Sequence, residues 1–136
     1  MRTLYDPDSG ELIPGAYKLL EYCSRKHDCY LVSHKEGQRE NLFEKLDIEK
    51  FFIKIELVDK KDIPIFRNLV EAKKYQLVYI VGDQIDGEIK IGNKLKFTTI
   101  WCRFGKFMNE MPKNVGEEPD YVVTNLIEIK EILKKS

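Results

Sequence analysis

A chain of 136 residues is the size of one domain, and roughly two-thirds of its unfolded surface can be buried, enough for a real core. Its 23 Lys and Arg balance 23 Asp and Glu, so no basic excess recruits nucleic acid and no acidic tail argues for disorder. Cys23, Cys29 and Cys102 make neither a disulfide framework nor a CxxC metal site, and there is no signal peptide and no long apolar run. Reduced core thiols in a soluble, cytoplasmic protein that does not contact membrane are the expectation.

Residues 1–6 (Met-Arg-Thr-Leu-Tyr-Asp) read as a short strand, and Pro7-Asp8-Ser9-Gly10 as a turn. Pro14-Gly15 starts a helix whose Ala16, Leu19, Leu20 and Cys23 share one apolar face. Cys29-Tyr30-Leu31-Val32 is a strand ending at Ser33, and a helix over about 36–46 follows, with Leu42, Phe43 and Leu46 inward. Residues 53–58 alternate like a strand nearer the sheet edge; after Lys60-Lys61-Asp62 comes a helix carrying Phe66, Leu69 and Val70.

Leu77-Val78-Tyr79-Ile80-Val81 is an unbroken apolar run, the pattern of a strand buried on both faces. Gly82 permits a tight turn and leaves Asp83 at the strand's carboxyl end. A helix follows, placing Glu88 on the turn nearest that end. Residues 99–102 form another strand, 103–120 a polar loop, and 121–123 a last strand before a final helix through Ile132. Asn125 and Glu128 have capping-box spacing at its start.

Strand and helix alternate throughout, with short connections. This predicts an α/β fold: one three-layer, doubly wound parallel sheet over residues 1–136, with no second domain. In such a sheet every strand's carboxyl end lies on one edge, where ligands bind. Asp6 and Asp8, Ser33, Lys61, and Asp83 with Glu88 would then meet in one cleft. Carboxylates gathered there suit a hard cation such as Mg²⁺. A hydroxyl and an ammonium beside them suit a phosphoryl group.

The order D-x-D, Ser, Lys, then Gly-Asp with a nearby acid resembles the haloacid dehalogenase (HAD)-like hydrolase superfamily, in a small capless form. The resemblance runs along nearly the whole chain. Ile13-Pro14-Gly15-Ala16 with Leu19-Leu20 is similar to the family's first helix, Leu31-Val32-Ser33 to its second motif, and Val81-Gly82-Asp83 through Ile89 to its fourth. Lys61 stands where the third-motif lysine is kept, with Lys60 as an adjacent candidate. The resemblance implies a Mg²⁺-dependent phosphatase working through an aspartyl-phosphate. Asp6 would be the nucleophile and Asp8 the acid/base. Ser33 and Lys61 would bind the phosphoryl group. Asp6, Asp8 through its carbonyl, Asp83 and Glu88 would hold Mg²⁺. Without a cap, the substrate would be a large or macromolecular phosphoester, or a second subunit would supply the missing wall.

Two other readings compete. Asp-Pro-Asp-Ser-Gly has the composition of a type I turn, so residues 6–10 could be a turn in a catalytically impaired, HAD-like binding or scaffold protein. A receiver domain uses similar groups, but there the lysine comes last, whereas here it precedes Asp83.

Overall fold

The computed structural model describes residues 3–35, 39–71 and 73–135. β3 (Tyr30–His34) runs parallel to β4 (Lys54–Val58), in register from Tyr30↔Lys54 to His34↔Val58. β5 (Tyr79–Gly82), β6 (Thr98–Cys102) and β7 (Tyr121–Val123) make a second parallel sheet in the order β5-β6-β7. The helices that alternate with them are α1 (Ala16–Lys26), α2 (Arg39–Lys45), α3 (Ile63–Glu71), α4 (Lys90–Lys94) and α5 (Ile127–Lys134). The fold is the expected parallel α/β layering. Among the described residues its parallel strands pair as two half-sheets.

α1 ties the halves together. Leu19 packs with Ile100, Cys102, Val123 and Ile129 over β6 and β7, while its neighbour Leu20 packs with Leu31, Phe43 and Ile48 over β3. Adjacent helix positions point about 100° apart, so one helix can serve two cores when both lie under its apolar stripe. α5 starts as its sequence predicts. The Asn125 side chain accepts the Glu128 N–H at 3.2 Å, and the Glu128 carboxylate reaches back to the Thr124 N–H and hydroxyl at 3.0 and 2.9 Å. Among the described residues, no helix is long and apolar enough to cross a membrane.

Of the predicted first strand, the described part forms a hairpin. β1 (Tyr5–Asp6) pairs antiparallel with β2 (Glu11–Leu12), Tyr5 opposite Leu12, and among the described residues it pairs with no other strand. The turn is built from its own polar groups. The Asp8 N–H donates to Asp6 Oδ1 at 2.9 Å, the Gly10 N–H donates to the Asp6 carbonyl at 2.9 Å, and Gly10 takes φ +76°. The turn is the one that the Pro-Asp-Ser-Gly composition predicts. Met1 and Arg2 lie outside the described residues.

Two smaller corrections concern burial. The run from Leu77 was expected to be buried on both faces, yet Leu77 is 52% exposed and only Ile80 and Gly82 of β5 are buried. Phe66, Leu69 and Val70 of α3 are half-buried rather than core. These residues face the space between the two half-sheets. The start of the helix predicted over 36–46 lies at residues 36–38, outside the described residues; its described part is Arg39–Lys45.

Candidate active site

β5 delivers Asp83 to the carboxyl edge, and the Trp101 indole N–H fixes its backbone by donating to the Asp83 carbonyl at 3.1 Å. The chain then makes a single π-type turn, Ile85–Ile89, in place of the expected regular helix start. Gly87 leaves helical geometry there (φ −137°, ψ −105°), and α4 resumes at Lys90. The extra residue in the turn swings Glu88 back over the strand end; π-type turns of this sort gather at functional sites. Gly82 leaves the room: a Cβ there would lie 2.7 Å from the Glu88 Cβ. The turn's first residue is held from the long loop, where Glu110 accepts the Ile85 N–H.

Glu88 is thereby buried, and its Oε1 accepts a hydrogen bond from Lys61 Nζ at 2.6 Å, with the two side chains 10% and 12% exposed. Lys61 leads into α3, whose first turn is capped by the Asp62 carboxylate accepting the Ile65 N–H at 3.3 Å. Lys60 is exposed. Asp83 is 7% exposed, and neither its Oδ2 nor Glu88 Oε2 has a hydrogen-bond partner among the described residues. Burial, and then the neighbouring Glu88 charge, push the Asp83 carboxyl above its ordinary range; Lys61 pulls weakly the other way. Two buried, unpartnered carboxylate oxygens are costly, and they fit a hard divalent cation, which takes oxygen ligands.

Ser33 is fully buried at the carboxyl end of β3, its hydroxyl donating only a long 3.5 Å bond to the His34 carbonyl. The structure therefore joins Lys61, Glu88 and Asp83, with Ser33 on the same edge. Asp6 ends β1 and Asp8 lies in the hairpin turn, where the Asp6 carboxylate accepts the Asp8 N–H. Among the described residues, no three His, Cys, Asp or Glu side chains are grouped so as to hold a metal. Cys102 is a buried core thiol held well above its usual range by burial, as expected; Cys23 and Cys29 are half-buried. Sequence reasoning missed Trp101 and Glu110 as supports. Neither sits in a local pattern that points to the strand end.

A parallel α/β sheet with buried carboxylates and a lysine at its carboxyl edge places the chain among the Rossmann-like α/β domains. Its sequence narrows this: the HAD-hydrolase-like family model matches residues 60–129, just over half of the chain, and the chain belongs to that family. It is 28% identical over 134 residues to a glyceraldehyde 3-phosphate phosphatase from Pyrococcus furiosus, covering 90% of this chain and 55% of that protein. Two solved structures show the same fold. The HAD-hydrolase YfnB from Bacillus subtilis, bound to magnesium, superposes with a TM-score of 0.74 at 24% identity, over 91% of this chain and 57% of that one. A D,D-heptose 1,7-bisphosphate phosphatase from B. bronchiseptica, complexed with magnesium and phosphate, gives 0.73 at 12% identity, over 98% and 94%. The chain spans about half the length of the curated relative.

Proposed function

We propose that this chain carries the metal- and phosphoryl-binding side of a Mg²⁺-dependent phosphohydrolase site. The observation that carries the reading is the buried pair of carboxylates, each with an oxygen that has no hydrogen-bond partner among the described residues, Asp83 Oδ2 and Glu88 Oε2, beside a buried lysine. Asp83 and Glu88 would hold Mg²⁺, which when bound supplies positive charge to a phosphoryl group and its attacking oxygen. Lys61 keeps Glu88 oriented through its 2.6 Å bond and offers two further N–H donors at the strand ends. The Ser33 hydroxyl, poorly satisfied at 3.5 Å, is free to turn toward a phosphoryl oxygen. Phosphatases among the relatives, and magnesium in two of the solved neighbours, support this reading.

The family resemblance gives Asp6 and Asp8 the roles of nucleophile and acid/base. The turn closed by the β1–β2 pairing favours a second reading for that motif: residues 6–10 are only a turn, in a catalytically impaired, HAD-like binding or scaffold protein.

Isothermal titration with MgCl₂ tests the assignment. Wild type should bind one Mg²⁺, and Asp83→Ala should bind it at least tenfold more weakly. Equal affinities would remove Asp83 from the site. Mg²⁺-dependent hydrolysis of p-nitrophenyl phosphate that Asp6→Asn abolishes would make Asp6 the nucleophile; no hydrolysis by wild type, or hydrolysis that persists in Asp6→Asn, would leave residues 6–10 a turn.

A further inference from the structure

The turn that carries Glu88 has no cap of its own. It starts at Ile85, a fully buried residue, and an N–H at the start of such a turn needs an acceptor from outside it. Residues just ahead of a helical turn usually supply one. Here Gln84 is extended and makes no side-chain capping bond. The Ile85 N–H is instead accepted by the Glu110 carboxylate, 25 residues further along the chain. A charged acceptor makes a stronger bond than a neutral one, which suits a turn with few bonds of its own.

Glu110 is itself held by contacts that lead back to Asp83. Its N–H donates to the Phe107 carbonyl at 3.1 Å, at the end of the short 3₁₀ turn Gly105–Phe107. The next carbonyl, that of Met108, accepts the Arg103 Nε–H at 2.9 Å, and the Arg103 guanidinium lies 5.6 Å from the centre of the Trp101 ring. Trp101 donates its indole N–H to the Asp83 carbonyl and packs with Ile85 and Ile89. Residues 101–110 therefore close a ring of contacts around the turn. One end fixes the backbone of Asp83, and the other fixes the residue from which the path to Glu88 starts. Past that anchor Asp86 and Gly87 both leave helical φ/ψ, and a glycine has no side chain to confine its backbone. The position of Glu88 depends on how the start of the turn is held.

We propose that Glu110 is a positioning residue of the candidate metal site, and that loop 103–110 acts through its bond to Ile85 to set how tightly Asp83 and Glu88 hold a divalent cation. The assignment rests on the phosphohydrolase reading of those two carboxylates. Glu110 acts through the backbone of the turn and not on the cation or the substrate. The coupling runs both ways, because a change that tightens the cation site by ordering the loop must also let the cation order the loop. Mg²⁺ should therefore slow amide exchange at Ile85 and in residues 105–110, although the loop supplies no ligand.

Two measurements on the intact chain test this: amide exchange of the metal-free protein, and calorimetric titration with MgCl₂. In Glu110→Ala the Ile85 amide should exchange at least tenfold faster, and Mg²⁺ should bind about tenfold more weakly, the worth of one hydrogen bond to a charged group. Glu110→Gln keeps an oxygen acceptor and should stay within about threefold of wild type in both readings. Arg103→Met releases the loop without touching Glu110 and should shift both readings in the same direction as Glu110→Ala. Asn125→Ala, which only destabilises the far helix α5, should leave both unchanged, so that a general loss of stability is distinguished from lost positioning. Equal Mg²⁺ affinity in Glu110→Ala and wild type would overturn the proposal. So would a Glu110→Gln variant as weak as Glu110→Ala, which would make the charge and not the bond responsible, or an Arg103→Met variant identical to wild type. Absence of Mg²⁺ binding by wild type would instead remove the phosphohydrolase reading, and this assignment with it.

Discussion

Replacing Lys61 with methionine keeps the length of the side chain and removes its charge. In the structure the Lys61–Glu88 bond is 2.6 Å long and both side chains are about nine-tenths buried. Removing the lysine leaves Glu88 buried without a counter-ion and beside Asp83. Stranding one member of a buried ion pair costs about 3–5 kcal/mol, and the methionine stem recovers part of this by packing, so a loss of about 3 kcal/mol is expected. For a domain of this size that lowers Tm by roughly 10 °C. Urea unfolding should show the midpoint falling with an unchanged m-value. Adding Glu88→Gln to Lys61→Met should recover at least ~1.5 kcal/mol, the coupling of a charged hydrogen bond. Raising NaCl to about 0.5 M should barely alter the loss, because buried pairs escape screening. A loss below about 1 kcal/mol, or one abolished by salt, would mean that the pair is solvated and the site open.

Other positions test neighbouring parts of the site and fold. Asp83→Asn should stabilise the metal-free protein at neutral pH. The folded-state carboxyl is raised above its unfolded value, so wild type loses stability as pH rises through the interval between the two. The advantage of the asparagine variant should therefore be larger at pH 8 than at pH 4, and a constant difference in urea midpoint would contradict it. Gly82→Ala puts a Cβ 2.7 Å from the Glu88 Cβ. It should cost about 1–3 kcal/mol by overpacking and should also weaken Mg²⁺ binding by displacing Glu88. Asn125→Ala removes the cap of α5 and should cost about 1 kcal/mol in the same unfolding assay, with Mg²⁺ affinity untouched.

The alternation of apolar strands and amphipathic helices made the parallel α/β layering legible, because burial on both faces of a strand leaves an unbroken apolar run. The same run concealed a difference. Leu77 and Val78 are as apolar as Ile80, but Leu77 is half exposed, ahead of β5, which begins only at Tyr79. Lys61, Asp83 and Glu88 were legible from their places at strand ends, yet the route by which Glu88 returns was not. It depends on one π-type turn at Gly87 and on contact with Gly82. Asp6-Pro7-Asp8-Ser9-Gly10 supported both a central strand end and a turn. The Asp8 and Gly10 N–H groups donating to Asp6 make the turn, and a sequence pattern cannot weigh those local bonds against a strand end.

A crystal structure of the intact chain grown with MgCl₂ and sodium tungstate, a phosphate mimic, tests the central claim most directly. The account predicts a cation on Asp83 and Glu88, with the oxyanion within hydrogen-bond reach of Lys61 Nζ and Ser33 Oγ and the Asp6 hairpin unchanged. A cation bound instead by Asp6 and Asp8, or an oxyanion away from Lys61 and Ser33, would contradict it.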